Sequence, residues 1–256
     1  MGKTDSCQEK GWRSRLKCLL IGVAAWSLVA GAGSEVLAAG STLSNDFRLW
    51  SPVFLTVPLS TSYIGYAEVN PRFGDDVSDL NQLILRTALG YKLNDNWSVW
   101  QGYAWNTVYQ NANNQPDFTG EHRIYQQLSY KDKFAFLETF PFIKLQSRSR
   151  LEERWIDHTS DTALRARTML RVDIPLPMIP GWGFVTFDEI FVNLNGVSGG
   201  PEGGFDQNRW FIGFNHEFMK QFNVDLGYQM HIIKTRKEEM VNQINNCIMI
   251  NFFINL

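Results

Sequence analysis

From Cys247 to Leu256 every even position (Ile248, Ile250, Phe252, Ile254 and Leu256) is apolar, while the odd face carries Cys247, Met249, Asn251, Phe253 and Asn255. Successive side chains of a strand point to opposite faces, so this pattern predicts a two-sided strand with one unbroken apolar side. The same period of two, bounded by turn residues, predicts strands near 46–57, 62–72, 80–92, 97–108, 122–132, 143–156, 162–174, 182–193, 205–216, 222–233 and 243–256. Bacterial single-chain barrels have even strand numbers, so the eleven segments point to ten or twelve. The open places are the long 134–156 stretch, broken by Pro141, and the first segment, where Pro52 and Pro58 favour an edge or two pieces. Short connectors at Asn94-Asp95-Asn96 and Lys131-Asp132-Lys133 alternate with longer polar ones at 109–121, 194–204 and 234–242. Outer-membrane barrels have this asymmetry of short periplasmic turns and long outer loops.

Several segments have assignable faces. In 143–156, Ile143, Leu145, Ser147, Ser149, Leu151 and Trp155 oppose Lys144, Gln146, Arg148, Arg150, Glu152 and Arg154. An Arg or Lys near a bilayer midplane costs about 2 to 4 kcal/mol on the lipid side, so the charged face is the inner one. In 162–174, Leu164, Ala166, Thr168, Leu170, Val172 and Ile174 oppose Arg165, Arg167, Met169, Arg171 and Asp173. Likewise Val224, Leu226, Tyr228, Met230 and Ile232 oppose Asp225, Gly227, Gln229 and His231, and Trp210, Ile212 and Phe214 oppose Gln207, Arg209 and Gly213. Leu83, Leu85, Leu89 and Tyr91 oppose Gln82, Arg86 and Gly90, and Tyr63, Ala67 and Val69 oppose Glu68 and Arg72. Segments 97–108 and 182–193 carry aromatics on both faces, and leave Trp100 and Glu189 unoriented.

At the other end, Arg13, Arg15 and Lys17 precede an apolar, small-residue run from Cys18 to Gly33, followed by Val36-Leu37-Ala38. This reads as a cleaved signal peptide over 1–38, with the run too short for the roughly 20 apolar residues of a spanning helix. The remaining 39–256 form one all-β domain that keeps a single cysteine, Cys247, and so has no internal disulfide. Its formal net charge falls from -2 to about -4, which argues against a nucleic-acid partner. No later window approaches 18 apolar residues, and only a closed barrel satisfies every backbone group in lipid. Aromatic residues make up 14% of the chain, and Tyr91, Trp97, Tyr130, Phe134, Trp182, Phe218 and Phe222 fall near the short turns, as an interfacial girdle requires. The alternation alone also fits a secreted soluble barrel turned inside out.

Asn81-Gln82-Leu83-Ile84-Leu85-Arg86, Trp100-Gln101-Gly102-Tyr103-Ala104-Trp105, Glu121-His122-Arg123, Arg150-Leu151-Glu152, Asp188-Glu189 and Gly204-Phe205-Asp206-Gln207-Asn208-Arg209 resemble the domain of unknown function 2490 family. The resemblance runs from about Asp46 to the end, and the block Gly204, Phe205, Asp206, Gln207, Asn208, Arg209 with the Arg150-Leu151-Glu152 segment is fairly specific. It implies an antiparallel up-and-down outer-membrane β-barrel and nothing about chemistry. The terminal Leu256 departs from the aromatic residue usual for barrel insertion.

The interior charges are the functional text: Glu68, Arg72, Arg86, Arg148, Arg150, Glu152, Arg154, Arg165, Arg167, Arg171, Asp173, Arg209 and Asp225, with Glu189 as a further partner. Arginine and carboxylate pair bidentately, so the set predicts a lumen cross-linked by ion pairs. The surplus of arginine makes a weak path for a small anionic solute the competing reading. A lipid-modifying enzyme needs a nucleophile and base within reach; His122 and His158 lie near outer ends with Glu121, Glu153, Ser160 and Asp161, which leaves a rim Ser/His site as the alternative. The sequence has no Gly-x-Ser-x-Gly elbow, zinc helix or cysteine pair, so no catalytic residue, metal or cofactor is assigned. Gly199-Gly200-Pro201-Glu202-Gly203-Gly204 lacks the ending of a phosphate loop and reads as a flexible outer loop. The expected place is the bacterial outer membrane, and the expected partners are its lipid and the barrel-assembly machinery.

Overall fold

The computed structural model describes residues 42–112, 115–134, 143–234 and 242–256; the expected signal peptide, Pro141 and most of the 234–242 connector lie outside them. The described residues form an all-β fold of twelve strands: β1 (Thr42–Trp50), β2 (Val53–Pro58), β3 (Tyr63–Gly74), β4 (Asp79–Lys92), β5 (Trp97–Ala112), β6 (Gln115–Phe134), β7 (Ile143–Ile156), β8 (Ala163–Pro175), β9 (Trp182–Asn193), β10 (Gly204–Met219), β11 (Phe222–Lys234) and β12 (Asn242–Asn255). From β3 to β12 each strand pairs antiparallel with its sequence neighbour. β1 and β2, end to end, fill one position between β3 and β12, so the sheet closes with eleven staves.

The split falls at Ser51-Pro52. Proline has no N–H to give to a ladder, and Pro52 instead accepts from Phe252 N through its carbonyl at 2.9 Å. The expected even number is therefore not what closes this barrel. With an odd number of staves the first and last must run the same way, and β1 and β2 are parallel to β12. Trp50 pairs with Met249 and Thr56 with Asn255 along this seam.

Three connectors differ from expectation. The polar stretch 109–121 is mostly strand, since β5 and β6 stay paired up to Ala112 opposite Gln115. Lys131-Asp132-Lys133 is not a turn either: it pairs with Lys144, Leu145 and Gln146, because lysines on an inner face near a barrel mouth remain in water. The glycine-rich 194–203 loop is built rather than loose. Val197 is buried, its N–H meets Pro201 O at 2.9 Å, and Asn195 caps the neighbouring strand through Leu164 N at 2.7 Å.

The assigned faces hold. Leu89, Val69, Leu151, Phe214 and Leu226 stand exposed on the outside, and the arginines of β7 and β8 point in. The two ambiguous strands also resolve. Trp100 turns inward over Gly90, where a Cβ would strike its ring, and Glu189 turns inward between Phe187 and Phe191. Trp50, Val185, Phe211, Cys247 and Met249 form an apolar cluster inside the wall, with Phe187 stacked on Phe211 at 4.8 Å. Around the short-turn end, ring contacts link Tyr63 to Tyr91, Trp97 to Tyr130, Trp182 to His216 and Phe218 to Phe222.

Gly213 and Gly227 oppose one another across β10 and β11 and face inward, where a Cβ on either would run into the other strand's backbone and the Phe211 ring. Gly213→Ala is expected to destabilise the barrel by about 1 to 3 kcal/mol through overpacking. Urea unfolding of the refolded protein checks this, and an unchanged midpoint would mean there is room at that position.

Candidate functional site in the barrel interior

Alternation on β6 to β9 brings one charged face of each strand to a common interior. Glu152, 1% exposed, lies at its centre. Its Oε2 accepts from Arg165 Nη2 at 2.6 Å and Nε at 2.9 Å, its Oε1 from Arg167 Nη1 at 2.9 Å, and Arg150 Nη1 lies 3.5 Å away. Arg167 reaches on to Glu189 at 2.7 Å, which also accepts from Arg148 at 2.8 Å. Arg165 reaches past β9 to Asp206 at 3.1 Å. Arg150 gives two hydrogen bonds to Gln127 Oε1, at 2.6 and 3.0 Å, and packs 4.0 Å above the Tyr125 ring. Each shared carboxylate meets planar forks whose rigid geometry suits two-point contact, which a flexible ammonium would not supply.

A second brace crosses further. Arg171 on β8 binds Asp173 on its own strand and Asp225 on β11, both at 2.5 Å, and Asn215 Nδ2 donates to Asp225 at 2.6 Å. A third group lies on β3 and β4, where Glu68 accepts from Arg86, from the Tyr66 hydroxyl at 2.6 Å and from Asn70 at 3.1 Å. Hydrogen bonds from Arg72 to Gln82 (2.7 Å), Gln82 to Asn106 (2.7 Å) and Asn106 to Glu121 (3.2 Å) join this group to the β6 side. Glu121 in turn takes Arg123 at 2.6 Å and Arg154.

Every residue of the predicted charge cluster is thus on the inner face, and among the described residues all but Arg72 and Arg209 stand in ion pairs. Glu121, Arg123 and Asp206 are additional members. Reading 109–121 as a loop hides Glu121, and Arg123 falls in the 122–132 segment, whose faces the sequence reading leaves unassigned, although Glu121, Arg123, Tyr125 and Gln127 alternate along β6. Asp206 sits at a register shift between Phe205 and Gln207, so it and Gln207 both serve the interior while Asn208 turns outward to Asp188 at 2.9 Å. The histidines scatter. His122 meets the Tyr103 hydroxyl at 2.6 Å on the outer wall, His158 is an exposed turn residue, His216 packs on Trp182, and His231 is buried inside against Gln207. Among the described residues no serine is hydrogen-bonded to a histidine.

The family described as protein of unknown function (DUF2490) matches residues 47–242. The chain belongs to that family. Its members' shared model spans β2 to β11 and the last four residues of β1, and so includes every ion pair described above. An uncharacterized protein of Methylorubrum extorquens is 32% identical over 227 residues, covering 86% of this chain and 93% of that protein. Neither comparison names an activity, so the interior of this DUF2490 barrel is read from its own geometry.

Removing the charge of Glu152 leaves Arg165 and Arg167 partly unmatched in a dry interior. Glu152→Gln is expected to cost about 3 to 5 kcal/mol. Glu202→Gln, which touches only the exposed 3.9 Å pair with Lys234, should change stability by less than about 1 kcal/mol. Equal urea midpoints for the two variants would show that water already solvates the network.

Proposed function

We propose that this protein is an integral outer-membrane β-barrel whose lumen is closed by side-chain ion pairs, a membrane-spanning body rather than a pore. The observation that carries the reading is the inversion of its two faces. Large apolar side chains stand exposed on the outer wall, with Leu226 at 54% and Leu89 at 50%, while arginines and carboxylates are buried inside. A soluble barrel spends its apolar residues on the core, whereas a lipid-facing wall carries them outside within a band about 25 Å tall. Aromatic contacts at the short-turn end fit the lower edge of such a band. A water-filled path would leave its lining wet, yet Glu152 and Asp225 are 1% and 0% exposed.

On this reading the partners are outer-membrane lipid along the wall and the barrel-assembly machinery that inserts the chain. The mature protein should fractionate with outer membrane, run faster on gels unheated than boiled, and add no stepwise conductance to a planar bilayer. Recovery as a soluble periplasmic monomer would remove the membrane reading; steady channels would remove the closed lumen.

Face by face, Leu226→Arg places a cation on the lipid side and should weaken folding into lipid vesicles by about 2 to 4 kcal/mol. Gln146→Arg, on the exposed inner side of β7, should be tolerated. Equal tolerance at both positions is the result that contradicts a lipid-facing wall.

A further inference from the structure

Two interior arginines stand apart from the carboxylate network. Among the described residues Arg72 and Arg209 have no carboxylate within ion-pairing distance: Arg72 donates to Asn70 and Gln82, and Arg209 to Gln207 Oε1 at 2.9 Å. Glu189, opposite Arg209 in the ladder, is engaged by Arg148 and Arg167. Both guanidiniums lie against the same Trp50 ring, 3.8 Å (Arg72) and 5.1 Å (Arg209) from its centroid. An aromatic face attracts a cation but brings no counter-charge.

The same neighbourhood collects donors that have no acceptor. Arg209, His231 and Asn245 stand in register across β10, β11 and β12, and the His231 ring meets Trp50 edge-on at 5.4 Å. Arg209 Nε, Asn245 Nδ2 and Gln229 Nε2 are buried without a hydrogen-bond partner, on side chains that are 0% exposed for Asn245 and 1% for Gln229. A buried donor left unmatched is costly, and native interiors rarely keep several together. Arg209 and Gln207 remain partly accessible, and Arg72 and Asn245 lie close to the long-loop ends of β3 and β12, which gives the cluster a side toward that mouth.

Two uncompensated positive charges and three unmatched donors call for a partner that is negative and purely an acceptor. A carbonyl or a water satisfies some donors but neither cation. An oxyanion satisfies both, because guanidinium forks grip two of its oxygens while amide N–H groups take others. We propose that Arg72, Arg209, Asn245 and Gln229 form an interior site for a small phosphate-type oxyanion, reached from the long-loop end of the barrel. The site goes beyond the membrane reading and does not rest on it, since a soluble barrel with this interior would bind the same anion.

The test is calorimetric titration of the refolded full-length barrel with inorganic phosphate, against chloride at matched ionic strength. Saturable binding of one phosphate per barrel is expected, with a rise in Tm that chloride does not reproduce. Arg209→Gln should weaken phosphate binding at least tenfold while keeping the parent's strand circular dichroism and cooperative thermal unfolding. Without phosphate its Tm should equal or exceed that of the parent, because it relieves an unpaired cation. If Arg209→Gln does not fold, Asn245→Leu removes one donor without touching charge and should weaken binding several-fold. Lys92→Gln, on an exposed strand end, should leave binding unchanged. A short-chain phosphatidate should fail to bind, since its acyl chains cannot follow the phosphate inside; binding of that lipid in place of inorganic phosphate would overturn the proposal. So would a Tm response equal to that of chloride, or phosphate affinity unaffected in both folded variants.

Discussion

A guanidinium removed from water has to be met by acceptors, and the inside of this barrel is organised by that requirement. Burying an ion pair brings little net stability against a well-packed apolar pair, but leaving one partner alone is severe. Once β7 and β8 turn six arginines inward, the positions of Glu152, Glu189, Asp206 and Asp225 are constrained. Each must arrive on its own strand at the correct height. The network therefore fixes the register of β7 to β11 alongside the backbone ladder, because a slip of one residue would carry a carboxylate to the other face.

The two halves of the interior solve the filling problem differently. Toward β6 to β8 the space is taken by long polar side chains sharing carboxylates. Toward β9 to β12 it is taken by Phe211, Val185, Trp50 and Met249, with Gly213 and Gly227 making room for the ring of Phe211. Trp50, Phe191 and Tyr125 stand between the two regimes, offering apolar bodies on one side and ring faces to Arg72, Arg209, Arg167 and Arg150 on the other.

Much of this was legible in the sequence. The inner faces of β7 and β8 are plain, since their arginines alternate with Ser149, Leu151, Ala166, Thr168 and Leu170, with Glu153 the one outward charge among them, and one strand period suffices to assign them. Pairing was not legible, because it depends on distance across the lumen. Arg171 takes Asp225 from three strands away, and nothing local joins them. Trp100 could not be oriented from its own strand, since the space it fills is made by Gly90 on the next. Glu121 was lost to a stretch whose polar composition imitates a loop although its backbone is paired, and Asp206 because a bulge breaks the alternation that face assignment relies on.

The seam between the first staves and β12 has a consequence for how the barrel comes together. Every other neighbour in the sheet is also a neighbour in sequence, so those pairs form as hairpins with small loops to close. Trp50 meets Met249 only after about 200 intervening residues have been brought round, and the seam's parallel pairs are slightly weaker per residue than antiparallel ones. The entropy of that closure must be met before its contacts reward it, which marks long-range pairing as the slow step of assembly. Until then the first stave, β1 with β2, and the last, β12, each expose a free edge, so the last event in making this cylinder is also the one that removes its capacity to pair with another chain.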